Sequence, residues 1–463
     1  DFGGAKGIFD YLQRKGDEGK PEQEYIARHY APKRTATADY RRERLFYTRE
    51  NALFLDAVRE EIEFLFPVSC PQKNVLLAAL LYEAATHVNT SGVFKAYHKG
   101  FGGHGGDALK RIMSPMSLEI PALISGPEGT RYEVTCDDAS QAASGKSYDL
   151  VYLDPPYNCH QYGSNYFMLN TIALWDKPAV DNTFGMDGKL RKKAGIREDW
   201  VKTRSPWCSR TSAAKSLCEM LDALDSRYIM MSYNTEGILS VEEQLDIFAS
   251  RGKIKYAATE YTSYRGGRQS INRKIATTEY VLILDTSKKT RSSDLVAIHS
   301  QQQLQLLKSM QANRFNPDLL LAHFGSSEKI QLNHADSGAI VFKAEFEEGY
   351  IPISWEIADD SLNSDQVDYL INTLSKCICS DQNQQFLIAI NILERVVQSG
   401  KRSSVIEKEA AKALRRFTHK KYMAQYKSAV HRVVELTTRH PELKKMSKIV
   451  TEIQEIAALR FAG

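Results

Sequence analysis

From Phe46 to Phe66, and again from Asn74 to Val88, apolar residues return at intervals of three and four: Leu53, Phe54, Ala57, Val58 and Ile62, then Leu76, Leu77, Leu80, Leu81, Ala84 and Ala85. That period matches one face of an α-helix and predicts two helices packed on each other. Leu150, Val151, Tyr152 and Leu153 form a continuous apolar run instead, ended by Pro155 and Pro156. Such a run predicts a buried parallel strand, stopped where neither proline can donate to a ladder. Helical spacing resumes in QYGSNYFMLNTIALW, with Tyr166, Leu169, Ile172 and Ala173 on one face, and again over Ala213 to Leu224 and Val241 to Ser250. Strands are expected at Tyr132 to Cys136, Tyr228 to Met231, Lys255 to Tyr264 and Thr278 to Leu284. This order predicts an α/β domain that closes with an antiparallel hairpin near Asp285.

The flanks read differently. Residues 1 to about 45 are polar and charged, with an amphipathic hint at Ile8, Phe9, Tyr11 and Leu12, and are expected to be connecting structure rather than core. The glycine-rich opening Asp1 to Gly7 lacks the strand and spaced acid of a dinucleotide turn and reads as a flexible end. Thr286 to Asp294, TSKKTRSSD, marks a domain boundary. Beyond it, residues 295 to about 360 mix short helical and strand-like pieces, and Val367 to Phe461 is mainly helical. Its stripes, Leu370, Leu374, Ile378 and then Phe386, Leu387, Ile390, Leu393, predict a small bundle. Three domains are therefore expected: 1–130, a linker and helical region; 131–285, an α/β core; and 295–463, mixed and then mainly helical.

Composition adds limits. Charged residues make up 25% of the 463 positions and the net charge is only +4, as in an ordinary globular protein. No apolar run nears the roughly 20 residues needed to cross a bilayer, so no membrane association is expected and the chain reads as cytoplasmic. The seven cysteines are odd in number and scattered, unlike a disulfide framework or a zinc site. Charge is unevenly placed: Lys401 to Gly463 carries 15 Lys and Arg against 6 Asp and Glu. That segment reads either as a contact for nucleic acid or a partner, or as a solvated helix face. The same two readings stand for the cationic stretch Pro178 to Trp207 and for the loop NTSGVFKAYHKGFGGHGG (89–106), whose Lys95 and Lys99 can grip a phosphodiester backbone.

The apolar strand at 150–153 leads into Asp154-Pro155-Pro156-Tyr157. An acid and an aromatic face are thus presented at a strand's carboxyl end, where open α/β sheets bind ligands. Methyl transfer to an exocyclic amine requires acceptors for its hydrogens, which Asp154 and the Pro155 carbonyl can supply. Tyr157 offers a stacking face for a base taken out of a duplex.

These residues carry a resemblance. DPPY after an apolar strand, together with LFYTRENALFLDAVREEI (45–62), NTSGVFKAYHK (89–99), DPPYNCHQYGSNYFML (154–169), SYNTEG (232–237) and TEYVLIL (278–284), is similar in order and spacing to the Dam-like, FokI-type N6-adenine DNA methyltransferases. The resemblance implies an α/β fold with a Rossmann-like S-adenosylmethionine-dependent methyltransferase sheet, a helical insertion and a mainly helical C-terminal domain. It also implies methyl transfer from S-adenosylmethionine to the N6 amine of an adenine flipped from double-stranded DNA. Asp154, Pro155, Pro156 and Tyr157 become the catalytic loop, and Asp138 takes the position beside the donor's adenine, with a strand-end turn residue as the alternative. Tyr162 and Tyr166 line the target pocket or the core. Asn234 ends the next strand with Ser232 and Tyr233, while Tyr264, Arg265, Lys95 and Lys99 reach the DNA. Asp rather than Ser at the first motif position favours adenine over cytosine N4, and rather than Asn it disfavours protein glutamine. One departure stands out: no F-x-G-x-G donor loop precedes residue 45. Either an N-terminal region is missing from the numbered chain or a partner subunit supplies the donor site, and a cognate restriction or defence protein is a further expected partner.

Overall fold

The computed structural model describes residues 2–103, 106–124, 126–262, 276–310, 313–324, 332–334, 338–340, 342–347, 351–357, 364–379 and 381–462. It is a mixed α/β chain with a helical C-terminal region. The described residues fall into two compact units, one running to Phe248 and the other starting at Ala249.

The first unit begins with Ala5–Glu18 (α1) and Ile26–Tyr30 (α2), followed by Arg49–Leu65 (α3) and Pro71–Thr86 (α4). The two helices expected between Phe46 and Val88 are present and packed on each other. Thr48 caps α3 by accepting the Asn51 amide at 3.1 Å, and Pro71 opens α4, where its missing N–H costs nothing. Residues 1 to 45 are not connecting structure, as their pattern had suggested. Phe9 and Leu12 of α1, with Tyr25, Ile26 and Tyr30, are buried in the same core as Phe54 and Val58 of α3. The reason is steric as well as apolar: a Cβ on Gly16 would sit 2.2 Å from the Phe54 ring, so only glycine lets α1 approach α3 this closely.

Two buried charges complete this core. The Asp56 carboxylate, fully buried, accepts the amides of Ile26 at 2.7 Å and Ala27 at 2.9 Å and so holds the first turn of α2. Arg59 donates to the carbonyls of Ile172 at 2.7 Å and Ala173 at 3.2 Å and pairs with Glu63 at 2.7 Å. Those carbonyls belong to Phe167–Leu174 (α8), which follows Gly106–Met113 (α5), Ala139–Ala143 (α6) and Tyr162–Asn165 (α7). Arg59 therefore satisfies carbonyls near the C-terminus of α8 that its own turns leave open. The buried face of α8 is Phe167, Met168, Thr171 and Ile172, while Tyr166 and Leu169, predicted to lead that face, are only partly buried.

Ser147–Leu153 (β1) pairs in parallel with Asp225–Asn234 (β2), Leu153 opposite Met231. The crossover between them runs through α7, α8 and Ala213–Ala223 (α9), and Val241–Ala249 (α10) follows β2. Two expectations fail here. The strand β1 is parallel but not buried: Leu150 is 55% and Tyr152 59% exposed. Residues 131–136 form no strand, because they join no ladder and their side chains are exposed, leaving nothing to repay ordering an extended backbone.

In the second unit Lys253–Thr262 (β3) and Ala276–Asp285 (β4) form the expected antiparallel hairpin, with Ala258 opposite Tyr280. Ser292–Ser309 (α11) packs on β3, and Gln305 exchanges hydrogen bonds with the Tyr256 hydroxyl at 3.3 Å and the Ala258 carbonyl at 3.2 Å. After Pro317–Phe324 (α12) come two short antiparallel pairs, Leu332–His334 with Gly338–Ile340 and Phe342–Glu347 with Ile351–Ile357. Ser364–Cys377 (α13) packs on α11 and α12. Gln382–Gln398 (α14), Ser404–Arg416 (α15), Met423–Arg439 (α16) and Lys444–Ala462 (α17) form the bundle, centred on Phe386 stacked against Phe417 at 4.0 Å. Leu387, expected in its stripe, is 46% exposed.

Burial pushes the Asp56 carboxyl up to about 7, against the opposing pull of the two amides it accepts. Its folded value thus lies above the unfolded value near 3.9. The stability this group contributes is present in full below about pH 4 and is lost as pH rises through about 7. Asp56→Ala is expected to lower stability by about 1–3 kcal/mol for each amide left without its acceptor. The loss should be larger at pH 5 than at pH 8, as read by urea unfolding at both values.

Candidate active site

The parallel register of β1 and β2 brings two chain ends side by side. Leu153 faces Met231, so the next residues, Asp154 and Ser232, are neighbours, and the Ser232 hydroxyl donates to the Asp154 carboxylate at 3.1 Å. Residues 154–157 then leave regular structure, as two successive prolines require. The loop is fastened further along: the Tyr157 carbonyl accepts the Ile238 amide at 2.9 Å. The Tyr157 ring meets the Tyr233 ring edge-on, with centroids 6.3 Å apart.

Tyr233 is the fixed member of that pair. It is buried, and its hydroxyl accepts the Leu239 amide at 3.3 Å. Burial pushes its phenol upward, keeping it neutral. The turn after β2 wraps it closely: a Cβ on Gly237 would come within 2.1 Å of the Tyr233 ring. Asn234, also buried, tightens the same turn by accepting the Glu236 amide at 3.0 Å. Arg210 holds the turn from outside, donating to the Ile238 carbonyl while paired with Glu243 at 3.0 Å.

Against this frame Tyr157 stays 39% exposed and Tyr162 49% exposed. The Tyr162 phenol is pushed upward, first by partial burial and then by Tyr157, Tyr166 and Asp154 beside it. Its ring lies 5.6 Å from that of Tyr166, which in turn meets Phe94 edge-on at 6.4 Å. Phe94 belongs to the loop 89–103 and its amide donates to the Asn165 carbonyl at 2.7 Å. Asp154, Tyr157, Tyr162 and Tyr166 are therefore gathered with Ser232 and Tyr233 at one end of the parallel pair. An acceptor stands among exposed aromatic faces, an arrangement able to orient an amine on a flat ring.

Other anticipated residues sit elsewhere. Asp138 caps α6, its Oδ1 accepting the Ser140 amide at 3.1 Å, the Gln141 amide at 3.4 Å and the Ser140 hydroxyl at 2.5 Å. The hydroxyl bond, above all, holds its carboxyl below the usual range. Lys95 and Lys99 are exposed on the 89–103 loop. Tyr264 and Arg265 lie outside the described residues. Sequence reasoning missed Arg210 and the clamp in which Gln161 donates to the Ser205 carbonyl at 3.1 Å and accepts its amide at 2.8 Å. Neither carries a sequence signal, since each acts across more than 25 positions.

A family model described as D12 class N6 adenine-specific DNA methyltransferase matches residues 10–247. The chain is 35% identical over 249 residues to Type II methyltransferase M.NlaIII of Neisseria lactamica, covering 52% of this chain and 68% of that protein. It is 31% identical over 233 residues to Type II methyltransferase M.CviAII of Paramecium bursaria Chlorella virus 1, covering 50% and 64%. To Type II methyltransferase M.FokI of Planomicrobium okeanokoites it is 30% identical over 223 residues, 45% of this chain but only 30% of that one. No solved structure matches the chain.

The close wrap around Tyr233 makes a further expectation specific. Gly237→Ala forces a methyl into the ring, and overpacking of this kind typically costs about 1–3 kcal/mol. Denaturant unfolding should show that loss, and the intrinsic tyrosine emission should change as Tyr233 shifts against Tyr157.

Proposed function

Because the chain belongs to the D12 class of N6 adenine-specific DNA methyltransferases, we propose that Asp154, Pro155, Pro156 and Tyr157 form its catalytic loop, acting on an adenine flipped from double-stranded DNA. The observation that carries this reading is the position of Asp154: it directly follows β1, beside the Ser232 hydroxyl and among the partly exposed rings of Tyr157 and Tyr162. Asp154 accepts one hydrogen of the target amine and the Pro155 carbonyl the other, which draws the nitrogen lone pair out of conjugation with the ring and toward the incoming methyl. Ser232 holds the Asp154 carboxylate in place, and Tyr157, steadied by Tyr233 and Ile238, stacks on the base. Tyr162 and Tyr166 line the other side of the base. No strong base is required, because the methylated amine is acidic and sheds its proton readily.

The donor we propose is S-adenosylmethionine, which supplies an electrophilic methyl group when bound. Asp138 fits a place beside its adenine: the helix cap engages only Oδ1, and among the described residues Oδ2 has no donor. Lys95, Lys99, Tyr264 and Arg265 are assigned to the DNA. Asn234 serves from behind, through the turn it tightens. A partner subunit and a cognate restriction or defence protein belong to the same proposal. For the restriction protein, support comes from the relatives, which are named type II methyltransferases and modification methylases.

Asp154→Ala is expected to lower methyl transfer by about 10²–10³-fold or more, the range seen when one preorganised polar group is removed from a site, while duplex binding persists. The measurement is N6-methyladenine formed in duplex DNA, paired with a DNA titration of the same variant. Undiminished methylation would refute the role given to Asp154.

A further inference from the structure

Three cations from separate stretches of the first unit converge on one half-buried ring. The Arg41 guanidinium lies 5.7 Å from the Tyr40 ring centroid, the Lys99 ammonium 5.4 Å and the Lys193 ammonium 5.9 Å. Lys193 also sits 5.4 Å from the Tyr97 ring. All three side chains are exposed, and among the described residues none forms an ion pair with a carboxylate. The nearby Asp39 carboxylate accepts the Arg41 backbone amide at 3.0 Å instead. Cations that share the 178–207 stretch with Lys193 are neutralised, Lys189 by Asp187 at 2.6 Å, Lys192 by Glu198 and Arg197 by Asp176 and Asp199. The Tyr40 hydroxyl is held below the ordinary tyrosine range, first by a hydrogen bond from the Arg41 side chain and then by the charges of Arg41, Lys99 and Lys193.

Like charges this close repel, and flexible surface chains would carry them apart. Here the backbones beneath them are fastened. Tyr97, buried, donates to the Tyr40 carbonyl at 3.3 Å and the Glu43 carbonyl at 3.1 Å, tying the loop of Lys99 to the segment of Arg41. The Leu190 amide donates to the Arg41 carbonyl at 3.0 Å. Arg44, also buried, donates to the carbonyls of Lys192 at 2.8 Å and Lys193 at 3.1 Å. Asp39 offsets part of the Arg41 charge without pairing with it, and the cluster is held in place by the buried Tyr97 and Arg44. Three cations set around one ring offer several separate donors, each able to meet a phosphate oxygen. A nucleic-acid strand carries one phosphate charge about every 3.4 Å.

We propose that Arg41, Lys99 and Lys193, gathered around Tyr40, form a phosphate-backbone contact for double-stranded DNA, a site that rests on the reading of DNA as the substrate. It positions the duplex without reading sequence. Its own signature is therefore in salt dependence rather than in base preference.

The test is an anisotropy titration of a labelled duplex across a range of KCl concentrations, with the full chain and with Arg41→Gln/Lys99→Gln/Lys193→Gln. The triple variant should bind every duplex more weakly, and its plot of log affinity against log salt should flatten by about 1 for each cation removed. The single variants give one third of that change each and serve if the triple variant does not fold. Lys99→Arg/Lys193→Arg should keep the parent slope, and so should Lys215→Gln, whose cation is already paired with Glu219. An unchanged slope in the triple variant, an equal drop in Lys215→Gln, or a parent that binds no duplex overturns the assignment. Methylation assayed on the same samples separates the two ideas. A parent that methylates while the slope stays fixed in the triple variant sinks this contact alone, and a parent that binds with the expected slope but never methylates adenine, even with its partner subunit present, sinks the catalytic reading alone.

Discussion

The parallel pairing of β1 with β2 is the constraint from which the rest of the site follows. With Leu153 opposite Met231, the residues just past the strand ends cannot avoid each other, and Asp154 meets Ser232. A slip of one residue would turn every side chain of the pair to the other face and carry Asp154 away from its donor. Two prolines then forbid the ladder from continuing, so the chain turns out of the sheet at the point where an acid and an aromatic are needed. The second loop is made stiff by packing: Tyr233 is buried, Gly237 leaves room for its ring, and Arg210 closes the turn.

Around this pair the polar chemistry is organised by buried arginines. Arg59 joins the end of α8 to α3, and α8 follows the loop of Tyr157 and the short helix α7 that opens at Tyr162. Arg44 gathers carbonyls from residues 181, 192 and 193 together with that of His29. In each case a guanidinium supplies several fixed donors to backbone carbonyls that would otherwise be buried without partners. These irregular stretches are thereby tied to the core. That anchoring makes a cluster of unpaired cations at Arg41, Lys99 and Lys193 tolerable, and it gives their charge a defined place.

Several elements could be read directly from local pattern. The spacing of Leu53, Phe54, Val58 and Ile62 announced α3, because period reports which face is buried, and the strand-like runs from Lys255 and from Thr278 announced the hairpin of β3 and β4. The pattern misled where burial depended on partners. Residues 131–136 have strand-forming side chains but no ladder to join, and β1 is apolar yet half exposed. The first 45 residues looked too polar for a core, although Phe9, Leu12, Tyr25 and Tyr30 suffice to make one face of it. A few large side chains at the proper spacing outweigh a polar average.

By itself the sequence determined the motif: an apolar strand, an acid, two prolines and a tyrosine, in line with four other segments of an adenine methyltransferase family. Covalent order alone specifies those residues and the place where the strand must stop. Only the tertiary structure decided what they meet. Ser232 lies 78 positions from Asp154, and Lys193 lies more than 90 from Lys99. Such encounters are set by strand register, by the close approach at Gly16 and by carbonyls seeking buried donors. No local pattern encodes them, because each depends on two distant stretches satisfying each other at once.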